Sequence, residues 1–354
     1  MSEQDPTQSI EGGSSDTVAA TTTDQPEIRE SEAPAAVPVA GVTLRNNPVL
    51  RRELIERVQG MKVVIFVTLW LALLILVLIL AYQGSVAFNR EFGLDVASIG
   101  RVGRQIFEWV LFGMLVLVLF LVPGLTAGAI TGERERQTLV PLQMTMMRPR
   151  DIIVGKLSAA LAFLVLLVII AMPLLAVSFL VGGLGFFDII RGLGMLIFTG
   201  LVLGSVCVAL SAKFRRTTAS TVVSYATSFI FAVGSFFAMI AFAIMLSIGG
   251  DGGGEDPPAH LLAVNPFAAV GDVLPRSNGV GFIGETFSPF GGMRGLIDEL
   301  GENNQDFDEF GRPLNDGERG PRIWVYYTVI GLGVMAFSIR SASKSVTTPA
   351  DSER

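Results

Sequence analysis

Six stretches of the chain, residues 63–82, 106–130, 157–181, 192–212, 220–248 and 323–339, are almost wholly apolar. A helix of about 20 apolar residues crosses the hydrocarbon core of a bilayer, so runs of this length and composition predict six membrane spans. The expected fold is all-α, a polytopic transmembrane helical bundle. Composition agrees, since charged residues make up 16% of the chain, against about 25% in soluble domains.

What closes each run orients the chain. Lys and Arg in short loops mark the cytoplasmic face, and Arg51, Arg52, Arg136, Arg148, Arg150, Arg215, Arg216 and Lys344 fall in alternate connections. Both termini are therefore predicted to be cytoplasmic, in the cell membrane of a bacterium. Arg90, Arg101, Arg104 and Arg191 fall on the other side, with Arg101 and Arg104 read as part of an interfacial helix leading into the second span. Pro173 removes a backbone donor within the third span and should kink it.

Outside the spans the chain divides simply. Residues 1–42 are rich in Ser, Thr, Pro and acids and lack aromatics, which predicts a disordered cytoplasmic tail that is not a cleaved signal. The membrane domain is expected over 43–345, with a short cytoplasmic tail over 346–354. Asn47 and Pro48 read as N-cap and first helical residue of a flat interfacial helix carrying Leu50, Leu54 and Val58 on one face. Residues 249–322 are predicted to form an external loop. Within it, 261–274 is apolar but too short to cross, and is expected to lie in or dip into the outer interface.

Several chemistries lack their residues. The only cysteine is Cys207 and the only histidine is His260, so disulfide frameworks and Cys/His zinc clusters are excluded within the chain. Gly155-Lys156-Leu157 lacks the upstream glycine and the hydroxyl of a phosphate loop. The net charge of −6 sits in the tail and one loop and implies no nucleic-acid partner. A proton-driven carrier needs charges at the midplane. Here Glu108 and Asp188 lie near span ends, and Glu108 is read as reaching interfacial water.

The connection between spans two and three is the densest in signal. Glu133-Arg134-Glu135-Arg136 leads into Thr138, Leu139, Leu142 and Met146 at helical spacing, a cytoplasmic amphipathic helix over about 132–147 with acids at its N-terminal end. Patterning alone leaves two roles open, a surface anchor or an element pushed by a soluble partner.

These residues resemble the membrane subunits, or permeases, of ABC transporters of the ABC-2 type. The stretch Thr131-Gly132-Glu133-Arg134-Glu135-Arg136-Gln137-Thr138-Leu139 is similar to the family's entry into its coupling helix, with Gln137 standing where Gly is usual and Met146 where Pro often follows Thr. Asp151-Ile152-Ile153-Val154-Gly155-Lys156-Leu157 resembles its start of span three. Asn47-Pro48-Val49-Leu50 resembles its flat N-terminal helix, and Asn265-Pro266-Phe267 recurs in its last external segment. The resemblance implies that Glu133, Arg134, Glu135, Arg136, Thr138, Leu139 and Leu142 couple to a separate ABC ATPase subunit, which holds ATP and Mg while this chain binds no cofactor. It also implies a second permease copy or paralogue, with spans two and five at the dimer axis, and export as the direction. Ser224, Thr227, Ser228, Ser235, Phe236 and Phe237 of span five then line the expected substrate pathway. Two rivals remain at this point: a non-transport assembly or sensing component driven by the same kind of ATPase, and a secondary carrier.

Overall fold

The computed structural model describes residues 61–91, 96–137, 149–238, 240–241, 259–274, 288–291, 293–294 and 322–347. The tail over 1–42, the flat helix from Asn47, the coupling residues Thr138, Leu139 and Leu142, most of the loop over 249–322 and the end beyond 347 lie outside them.

Six helices are long and apolar enough to cross a membrane, and the described residues contain no strand. Helix α1 is Met61–Glu91 and α2 is Val96–Thr126, followed by a short α3, Thr131–Glu135. Helices α4, Pro149–Val181, and α5, Phe186–Lys213, come next. The fifth span starts as α6, Thr217–Phe229, and runs on through a π-helical turn, Ile230–Gly234. After it come a 3-10 turn, Ala259–Val264, the short α7, Pro266–Val273, and α8, Ile323–Thr347.

The helices overrun the apolar runs because a helix continues past the bilayer core until its own sequence stops it. Arg101 and Arg104 therefore lie on α2 itself rather than on a separate interfacial helix. Helix α4 starts at Pro149, a residue suited to the first turn because its missing N–H is unneeded there, and holds Pro173 without interruption of its assigned span.

Helix α2 packs against α1, α4, α5 and α6, and α5 packs against α2, α4, α6, α7 and α8. Phe107, Leu111, Met114 and Leu115 of α2 meet Leu164, Ala171 and Leu175 of α4 and Leu196 and Leu203 of α5 in one core. By contrast, α1 turns Ile65, Leu69, Leu76 and Leu80 outward and Trp70, Leu74, Ala81 and Ser85 inward. Such an apolar outer face is stable against lipid tails and unfavourable against water. Where α2 passes the end of α4, glycine is required. A Cβ on Gly103 would lie 2.2 Å from the Gly182 carbonyl oxygen, and Gly182 and Gly183 hold φ of 101° and 84°, open to residues without Cβ.

Two expectations change at the other end of α2. Glu108 does not reach water, being 2% exposed, and its carboxylate is held by Arg104, Arg294 and Ser288. The stretch 261–274, expected to lie in or dip into the outer interface, packs against other helices from Leu262 to Leu274. Ala268, Ala269 and Val270 are fully buried, and α7 packs against α5, α8 and the π-helical turn. The reason is visible in the sequence of α7, which has no polar stripe to offer an interface. Asn265 caps it, accepting from the N–H groups of Phe267 and Ala268 at 2.8 and 3.2 Å. Its amide Nδ2 donates to the Ala232 carbonyl in the π-helical turn at 3.2 Å.

Candidate functional site

The α3 end of the bundle is built around a break. Helix α2 stops at Thr126, residues 127–130 form a turn, and α3 begins at Thr131. A break beside apolar packing exposes backbone groups that must find partners, each costing about 1–3 kcal/mol if it does not. Hydroxyls from two other spans supply them. The Ser211 oxygen of α5, fully buried, accepts from Ile130 and Thr131 N–H at 3.0 and 3.1 Å. Ser220 of α6 donates to the Ala127 carbonyl at 2.7 Å.

The charges that follow are fastened one by one. Glu133 pairs with Lys156 of α4 at 2.8 Å, and Lys156 is 3% exposed. Arg134 donates to the Phe214 carbonyl at 2.8 Å and to that of Ala212 at 3.5 Å, the carbonyl-rich C-terminus of α5, where a cation is favoured. Glu135 accepts from the Thr217 N–H at 2.7 Å, at the N-terminus of α6, where an anion is favoured. That N–H holds the Glu135 carboxyl below its usual range, with Arg216 adding a smaller pull. Three consecutive side chains thus reach three spans, and the two that meet helix ends carry the signs those ends prefer.

Helix α3 covers the start of the stretch expected to be helical over 132–147, and residues 138–147 lie outside the described residues. Arg136 is the exposed C-cap of α3, and Gln137 follows with φ of 57°, the sole positive φ at a non-glycine among the described residues. That left-handed residue ends the helix in the way a C-terminal glycine usually does, which accounts for the Gly that the resemblance expects at this position.

The span-five residues separate by face. Ser228 donates to the Leu119 carbonyl of α2 at 2.7 Å, and Ser220, Ser224 and Ser228, one turn apart, are all buried. Thr227 and Ser235 bond carbonyls of their own helix, those of Val223 and Phe231. Phe236 and Phe237 make an edge-to-face ring pair at 6.4 Å, with Phe237 exposed. Of this set Ser228 seats α6 on α2, while Val222, Tyr225 and Phe229 face outward.

Lys156, Ser211 and Ser220 were not singled out from sequence as parts of this site. A lysine just inside the start of an apolar helix was the available signal for the first. The serines gave none, because small polar residues are common in spans for packing reasons.

A family profile described as ABC-2 family transporter protein matches residues 97–337, from the first turn of α2 into α8. The chain belongs to the ABC-2 transporter family. It is a multi-pass membrane protein and the permease component of an ABC transporter, and its α3 end carries the stretch by which it resembles that family in sequence. No curated protein matches this ABC-2 permease closely enough to be named beside it.

Proposed function

We propose that this permease exports a cargo across a bacterial cell membrane, driven by a separate ABC ATPase subunit that carries ATP and Mg. The α3 end faces the cytoplasm in this reading, together with both termini. Support comes from Arg150, Lys213, Arg215, Arg216 and Lys344, which cluster at the helix ends on that side, as the positive-inside rule requires. Arg136, Thr138, Leu139 and Leu142 offer the docking surface, and Glu133, Arg134 and Glu135 pass its displacement into the bundle. A second permease copy or paralogue meets α2 and α6 across the dimer axis. In support, Phe120 of α2 and Val222, Tyr225 and Phe229 of α6 are exposed apolar side chains.

One observation carries the coupling role: Glu133, Arg134 and Glu135 tie α3 to α4, α5 and α6 respectively. A surface anchor would need only an apolar face toward lipid. A displacement applied at α3 instead meets three spans through short polar contacts, two of them to backbone. The reading is tested by affinity purification of the tagged chain from its own membranes, followed by ATP hydrolysis assays. An ATP-hydrolysing subunit is expected to co-purify. In Lys156→Met it should stay bound, while its hydrolysis rate no longer differs from that of the isolated subunit. Transport sustained in vesicles with no ATPase bound would overturn the proposal.

A further inference from the structure

At the end of α2 remote from α3, a carboxylate is buried beside two cations, one from the preceding turn of its own helix and one from a distant part of the chain. Glu108 Oε1 accepts from Arg294 Nη2 at 2.9 Å and from Arg104 Nε at 3.2 Å, and its Oε2 accepts from the Ser288 hydroxyl. Both partners of the longer-range pair are 2% exposed. A buried ion pair contributes little net stability against an apolar replacement, so it calls for a reason other than strength.

Where Arg294 points its Nε–H supplies one. Its Nε donates to the Gly271 carbonyl at 2.9 Å, in the last turn of α7, whose carbonyls have no intrahelical partner and whose dipole favours a cation. Arg294 is thus a bridge, with α7 on one side and α2 on the other. Apolar contacts run in parallel. Phe112 of α2 packs its ring 5.2 Å from Phe267 and 5.9 Å from Phe290. Phe290 is fully buried, close enough to Gly271 that an added Cβ would sit 3.1 Å from its own.

We infer that Glu108 and Arg294 are positioning residues of the transport step: their buried pair makes α7 move with α2. From Glu108 to Thr126 the chain stays helical, with Pro123 in its last turn, a rise of about 27 Å at 1.5 Å per residue. A displacement taken up at the α3 end is delivered by this helix to α7. The inference rests on the transport reading above, yet its test needs neither cargo nor ATPase.

The experiment is cysteine accessibility on the full-length chain in cells, with Cys207→Ala removing the native thiol and Val273→Cys placing a probe in the last turn of α7. A membrane-impermeant maleimide added outside should label the parent slowly, since Val273 is 9% exposed. Glu108→Gln should speed labelling by about tenfold, the effect of losing about 1.4 kcal/mol of hold on a local opening. Arg294→Lys keeps a cation beside Glu108 but withdraws the donor to Gly271, so it tests the bridge in a chain that still folds. It should label faster while Cys207, left in place in a parallel chain without the probe, stays unreactive and shows the bundle intact. A parental rate in Arg294→Lys, whatever becomes of Glu108→Gln, would overturn the inference, as would equal gains at Val273→Cys and Cys207, which mean general loosening. Either result leaves the ATPase test standing on its own.

Discussion

The two ends of α2 both use charge where the surroundings are apolar, but they use it differently. At the α3 end, two of the three fastened charges bind backbone: Arg134 the carbonyls that end α5, Glu135 the N–H that starts α6. At the other end the carboxylate of Glu108 is met only by side chains, two guanidinium groups and a hydroxyl. Backbone partners exist wherever a helix ends, so one short charged motif suffices to engage them. Side-chain partners must both be present in the sequence, and losing either strands the other. The α3 end should therefore tolerate substitution in steps, and the remote end should fail at once.

Arg294→Met is the severest test of that contrast. It leaves Glu108 buried with Arg104 as its remaining cation, and removing one partner of a buried pair costs about 3–5 kcal/mol. A fall of this size in the unfolding free energy of the detergent-solubilised chain is expected. Arg134→Met, which strands only helix-terminal carbonyls near the surface, should cost well under half as much. Equal losses would remove the distinction between the two ends.

How far the sequence showed these ends follows from the same contrast. The number of spans, their order and the charged motif at α3 were legible, because apolar runs and a local charge string need no knowledge of distant residues. Gln137 was legible as a departure from the family's Gly, though its left-handed φ was not. Glu108 was misjudged because the partner that buries it is distant: Arg104 lies four residues before it on the same helix, but Arg294 lies 186 residues away. Burial of 262–274 was likewise hidden, because an apolar stretch of that length reads the same at an interface and inside a bundle. Lys156 falls between these cases, a cation within a motif that was quoted without its partner being named.

The middle of the contrast is sharpened by Ser211→Ala. This hydroxyl accepts from both Ile130 and Thr131 N–H, so its loss leaves the break between α2 and α3 short of an acceptor at about 1–3 kcal/mol. Hydrogen exchange should locate the effect, with faster exchange at Ile130 and Thr131 and little change at Arg294. Uniform acceleration along the chain would mean that the break is not a separately held joint.

Gln137→Gly is expected to give the smallest effect, and of opposite sign. At φ of 57° a side chain with Cβ is crowded by its own backbone, while glycine adopts the region freely, a difference of about 1 kcal/mol. Part of this is offset because glycine also gains freedom in the unfolded chain, so the net stabilisation should be about 0.5 kcal/mol. The measurement is the unfolding midpoint of the substituted chain against its parent. A rise means that the turn after α3 is held in the left-handed conformation against the preference of Gln137, and that the α3 end keeps its shape through fixed contacts at Lys156, Phe214 and Thr217. A fall would mean that Gln137 contributes an interaction outweighing its strain, and the reason for ending α3 at this residue would then lie in its side chain rather than in its backbone.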